Sequence, residues 1–341
     1  MTTALPEGVV TGVGAVDVLD PHVGAQITLD EVPDLPHVPE LPLRGPWAEP
    51  VGRLAALLVD LPVELEIGRW RMASGVGRDL SRSRSLLAED LDAVEEHWAG
   101  FEGPAKLQLL GPLSAAALVE LRNGAAVVSD AGAVDELGSS LAEGLLEHVA
   151  QLSARVPGAE WVVQVDEPLC ADVARGRRPR PSGWGTFPAL EPSVTSDLIS
   201  RVVDAAHRIG CPVVVHCCDP DPDWDLLTGT SADALSVPLR HLDTAGGEGA
   251  ARLERWWGSG RGLWSSVARP GEDSSASARL RQLRSVLGAQ GEEFGRRLVL
   301  TPPCAWDRER LEATGGNVRV APVGARAYGE VRALAKRLDD G

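Results

Sequence analysis

Lysine is nearly missing from this 341-residue chain: only Lys106 and Lys336 are present, so almost all positive charge is arginine. Acidic side chains outnumber basic ones 49 to 33, giving a formal net charge of −16 and a pI near 4.9. That balance argues against nucleic acid as a partner, because neutralising phosphates needs a basic field. It equally disfavours a polyanionic substrate unless arginines gather locally. No run of ~18 apolar residues is available to cross a membrane. The opening Met1-Thr2-Thr3-Ala4-Leu5-Pro6-Glu7 has neither the basic start nor the apolar stretch of a secretory signal. A cytoplasmic location is therefore expected.

Two nucleotide signatures are also absent, the G-x-x-x-x-G-K phosphate loop and a well-placed dinucleotide fingerprint. The five cysteines, at 170, 211, 217, 218 and 304, are odd in number and irregular in spacing, which favours reduced thiols or metal ligation over structural disulfides.

What is present is a succession of short apolar, β-branched runs separated by helical patterns. Runs at 9–14, 61–65, 106–110, 161–165, 213–216, 234–237, 262–267 and 297–300 read as strands. Helical spacing is visible over 53–61, 83–98, 137–152, 194–206, 278–289 and 325–338. Ser114 is placed to cap the helix after Gly111-Pro112. Residues 20–47, rich in proline and without a stable period, read as a long loop, and the arginine-rich 171–193 as a mobile connection with solvated arginines. Strands alternating with helices, and no linker between them, predict a single α/β domain over residues 1–341, a (β/α)8 barrel, with a doubly wound sheet as the other arrangement of the same elements.

Three polar motifs close three of these strands. Val213-Val214-Val215 runs into His216-Cys217-Cys218, where strand alternation turns His216 and Cys218 to one face and Cys217 to the other. Val162-Val163-Gln164-Val165 ends in Asp166-Glu167-Pro168, placing carboxylates where burial is costly unless they bond or serve a ligand. Leu298-Val299-Leu300 leads into Thr301-Pro302-Pro303-Cys304. In a parallel sheet these carboxyl ends share one side, the side on which ligand sites are built. By spacing alone, H-x-C is equally an ordinary buried histidine with small hydrophobic thiols. Asp219-Pro220-Asp221-Pro222-Asp223-Trp224 lacks the glycine and closing glutamate of a calcium loop.

Taken in order, these motifs resemble the catalytic barrel of cobalamin-independent methionine synthases and their shorter archaeal-type relatives. Thr11-Gly12-Val13-Gly14 and Gly111-Pro112-Leu113-Ser114 look like two further turns of that family. The resemblance implies a zinc ion held by His216, Cys218 and Cys304, and methyl transfer to a thiol acceptor such as homocysteine. It also implies that Asp166, together with Glu64 from an early strand, holds the substrate's amino group.

Three departures qualify it. Asp233-Ala234-Leu235-Ser236-Val237-Pro238 carries proline where the family's glutamate ligand stands, leaving His241, Asp243 or an open position for the fourth ligand. Ala15 replaces a serine near the amino-acid pocket. The chain lacks the family's additional N-terminal barrel and the tryptophan that stacks folate, and its acidity suits a polyglutamylated folate poorly. A methylcorrinoid on a partner protein is the alternative donor. A non-catalytic barrel that binds a thiol or amino acid is a second reading. A uroporphyrinogen-decarboxylase-like enzyme is a third, and it would leave the cysteines idle.

Overall fold

Strands that carry apolar residues on both faces belong in a sheet covered on both sides, and six of the eight runs form one. The computed structural model describes residues 4–180, 183–242, 247–267, 276–289, 293–304 and 323–339. A hairpin of β1 (Val63–Glu66) and β2 (Arg69–Met72) stands apart from the main sheet. That sheet consists of β3 (Gly103–Leu110), β4 (Ala159–Asp166), β5 (Val213–His216), β6 (Ala234–Ser236), β7 (Gly262–Ser266) and β8 (Leu298–Thr301). All neighbours are parallel and lie in sequence order, as right-handed β-helix-β crossovers require.

Alternation divides each strand between two packing layers. In β4, Val163 and Val165 join the large core formed with the helices, whereas Val162 joins a small interior cluster with Leu35, Val214, Ala234, Trp264 and Val299. Gln164 and Asp166 share Val162's face and sit above that apolar floor. The outer layer includes α1 (Pro21–Glu31), α2 (Pro50–Leu57), α3 (Arg78–His97), α4 (Pro112–Leu118) and α5 (Ala131–Arg155). It continues through α6 (Cys170–Ala174), α7 (Pro192–Arg208), α8 (Trp224–Gly229), α9 (Glu248–Gly258), α10 (Ala276–Val286), α11 (Glu293–Arg297) and α12 (Ala325–Asp339).

The expected eight-stranded barrel is realised as a curled six-stranded sheet whose edges are linked by extended segments instead of regular staves. At one edge, Thr11 N–H donates to Leu300 C=O (3.2 Å). At the other, Val38 N–H donates to Lys106 C=O and Lys106 N–H to Pro36 C=O, both at 2.8 Å. The two segments meet through Glu40 N–H to Gly14 C=O (3.0 Å) and Val16 N–H to Glu40 C=O (2.9 Å). Prolines at 36 and 39 lack the N–H groups a longer ladder would use, which accounts for isolated bridges at His37 and Glu40.

Three other expectations change. The stretch 20–47 contains α1, begun by Asp20, whose side chain accepts from His22 N–H (2.9 Å), with Pro21 at the first helical position. Ser114 lies inside α4, whose N-cap is Gly111. Glu64 belongs to the antiparallel hairpin and not to the parallel sheet, because Ile67-Gly68 turns the chain back at once, both with positive φ.

Candidate metal and substrate site

Register builds the site row by row. Asp166 is paired with His216, and His216 with Ser236, across β4, β5 and β6. Registered residues of a parallel sheet project to the same face, so these three side chains form one polar row at the carboxyl end. His216 Nδ1 lies 2.9 Å from Ser236 Oγ, which fixes the ring and aims Nε2 at Cys304 Sγ, 3.1 Å away. Cys218 completes the group: one donor atom from each of His216, Cys218 and Cys304 lies within 4.8 Å of the others. His216 is fully buried, and Cys218 and Cys304 are partly buried residues packed against the main core.

These residues suit a borderline-soft ion. One imidazole nitrogen and two sulfurs match zinc chemistry, and a second-neighbour hydroxyl on the far ring nitrogen is a common way to orient a ligating histidine. Burial alone would lower the His216 pKa, but the Cys304 sulfur beside it and then Asp166 raise it to about 9. Cys304 also drives the Cys218 thiol upward through hydrogen bonding, and burial adds to this. Without a cation these donors hold their protons, and a metal ion would bind them in competition with those protons. Pro238, two residues past β6, adds no donor. His241 lies in the next turn, outside the group of three, and Asp243 falls outside the described residues.

The Asp166-Glu167 pair splits into two roles. Asp166 faces the interior, where its Oδ1 accepts from Gln164 Nε2 (2.7 Å) and Gln164 also donates to Val13 C=O (2.8 Å). Burial holds its carboxyl above the ordinary range against the opposing pull of His216. Glu167 faces away and secures α4, accepting from Leu113 N–H (2.8 Å), Ser114 N–H (2.8 Å) and Ser114 Oγ (2.6 Å). A Cβ on Gly111 would lie 2.4 Å from Glu167 Oε1, which explains the glycine there.

Sequence reasoning missed two charged residues beside Asp166. Lys106, on β3, is fully buried and donates to Gln108 Oε1 (3.1 Å) and Val13 C=O (3.4 Å). Burial lowers its pKa to about 8, with Asp166 and Glu40 opposing. Glu40 is buried next to Arg53 (3.6 Å), itself bound to the buried Asp90. Glu64 instead accepts from Asp79 N–H (3.3 Å) at the start of α3, so the carboxylate brought near Asp166 comes from the proline-rich segment. Nothing in that segment's periodicity marks Glu40. Lys106 could have been noticed as a rare lysine on an inward strand position.

The loop that carries Cys218 is held by arginines from the connection after β4, which the sequence read as solvated. Arg177 pairs with Asp172 (3.1 Å), Asp221 (2.7 Å) and the buried Asp219 (3.7 Å), while Arg175 pairs with Asp221 (2.6 Å) and Asp223 (3.3 Å).

No protein-family model matches the sequence, and no curated protein does either. Among solved structures, the chain is similar to a B12-independent methionine synthase from Shewanella sp. W3-18-1 in complex with selenomethionine. The identity is 13% and the TM-score 0.54, over 97% of this chain and 99% of that one. A D-allulose 3-epimerase from Methylomonas sp. gives 11% identity and a TM-score of 0.49 over 98% and 99% of the two chains. Likeness at this level is one of fold: the chain has the α/β architecture of TIM-barrel enzymes.

Proposed function

We propose that the chain is a zinc-dependent methyltransferase of the methionine-synthase type, acting on a thiol acceptor such as homocysteine and folded over residues 1–341 as one barrel domain. The observation that carries this reading is the convergence of His216, Cys218 and Cys304 within 4.8 Å, from two sequence-distant strand ends. Zinc at these donors would supply a Lewis acid under which a thiol ionises near neutral pH.

The chain's own residues do the rest. Ser236 orients His216, and Gln164 fixes Asp166 so that one carboxylate oxygen is committed and the other remains for the acceptor's ammonium group. The acceptor sulfur and a methyl donor would meet beside Cys218 and Cys304. The selenomethionine in the Shewanella structure fits an acceptor of this class. A methylcorrinoid carried by a partner protein is the donor we favour, given the net charge of −16.

Zinc analysis of purified protein, joined to transfer from methylcobalamin to homocysteine, tests the reading. One zinc held at the barrel donors and methionine formation are expected, and both are lost in Cys304→Ser. Absence of zinc from wild-type protein supplied with the metal would refute it. Pro238, in place of a fourth protein ligand, favours a second reading, a barrel that binds a thiol without turnover. Homocysteine binding with no transfer from a broad donor panel would select it.

A further inference from the structure

A second group of metal-ligating side chains lies far from the strand ends, on the outer helical layer. His22, in the first turn of α1, and Glu96 and His97, in the last turn of α3, each offer a donor atom within 4.8 Å of the others. His22 Nδ1 is 3.4 Å from Glu96 Oε2. The imidazoles of His22 and His97 meet edge to face, with centroids 5.4 Å apart.

The backbone under these side chains is fixed. Trp98, next to His97 and fully buried, donates its indole N–H to Ala25 C=O, one turn along α1 from His22 (3.0 Å). That bond and the packing of Trp98 set the distance between the two helices before any ligand arrives, so only χ rotations of the exposed His22 and Glu96 and the half-buried His97 are needed. With bonds of about 2.0–2.1 Å, tetrahedral donors stand about 3.3 Å apart. His22 and Glu96 already meet that spacing. The negative end of α3 and the positive end of α1 meet here and oppose one another, so the side-chain donors decide the site.

We propose that His22, Glu96 and His97 form a second, surface metal site that takes a borderline divalent transition-metal ion, of the class of Zn2+, Ni2+ or Cu2+, and staples α1 to α3. Two imidazoles and one carboxylate select such ions over Ca2+ or Mg2+, which favour all-oxygen sets. The remaining coordination positions face solvent, as suits a structural clamp.

Zinc titration of metal-free full-length protein, wild type against the surface variant His22→Asn/His97→Asn, reads the site independently of the barrel. The wild type is expected to bind one equivalent more than the variant, and its melting temperature to rise further with zinc. Substoichiometric Ni2+ should broaden the ring resonances of His22 and His97 while leaving His207 and His241 sharp. Equal stoichiometry and affinities within twofold in the two proteins would overturn the proposal, as would uniform broadening of all histidines. If the barrel binds no zinc, the one-equivalent difference is still expected.

Discussion

His216 Nε2 lies 3.1 Å from Cys304 Sγ although 88 positions separate the two residues. Neither residue has a sequence neighbour that requires the other. They meet because β5 and β8 are parallel members of one curled sheet, so both chains leave it on the same side.

This relationship makes the metal dependence specific. In a His22→Asn/His97→Asn background, Cys218→Ser and Cys304→Ser should each reduce zinc content to below about a tenth of that background's, since a two-donor remnant holds zinc weakly. Ser236→Ala should retain the ion at lowered affinity, by about 10-fold or more, because only the ring's orientation is lost. Metal analysis after dialysis against a graded chelator checks all three, and unchanged content in Cys304→Ser contradicts the site.

Arg177 is expected to position the Cys218 loop. Arg177→Gln removes one ion-pair partner each from Asp172 and Asp219, both nearly buried, and should cost about 1–3 kcal/mol of stability. It should also weaken zinc binding, which a change that was merely structural would leave alone. Urea unfolding and chelator competition on the same preparation separate the two effects.

His148 should make the protein acid-sensitive. It is buried on α5, its Nδ1 has no hydrogen-bond partner among the described residues, and burial, with Arg53 and Arg155, lowers its pKa to about 3 from the ordinary 6.5. Between these values the unfolded chain binds the proton and the folded chain does not, so stability falls as pH drops below about 6.5. At pH 5 the loss amounts to about 2 kcal/mol, at about 1.4 kcal/mol per pKa unit. Urea midpoints at pH 7 and pH 5 should converge in His148→Gln relative to wild type.

Gly144 marks a close approach of α5 to the end of α2. A Cβ there would lie 1.9 Å from the Leu57 carbonyl oxygen, a backbone atom that cannot swing aside. Gly144→Ala should therefore destabilise the protein by about 1–3 kcal/mol despite alanine's better helix propensity. A stabilised variant in thermal unfolding would show that α2 and α5 can separate freely.

Much of the architecture is legible locally. The runs ending at Asp166 and His216 are strands because β-branched side chains suit a doubly buried sheet, and the spacing of Leu137, Leu141, Leu145, Val149 and Leu152 is found on α5. The signal failed where two local codes conflict. Asp20-Pro21 is a helix start, yet the prolines that follow α1 made the whole segment look like loop. Val63–Glu66 has strand character, but its partner was settled by the Ile67-Gly68 turn and not by the parallel sheet. No local pattern reports the neighbours of Glu40, because its burial depends on Arg53 and Gln108 from other elements.

The sequence by itself determined which residues stand at strand ends and which face each takes, since strand alternation is a local property: His216 with Cys218, Asp166 apart from Glu167. Only the tertiary structure decided that Cys304 joins the first pair, that Ser236 and Gln164 hold His216 and Asp166, and that Lys106 and Glu40 charge the interior beside them. Those contacts arise from the register of parallel strands and the curl of the sheet, which are set by packing across the whole core and have no counterpart in any short stretch of chain.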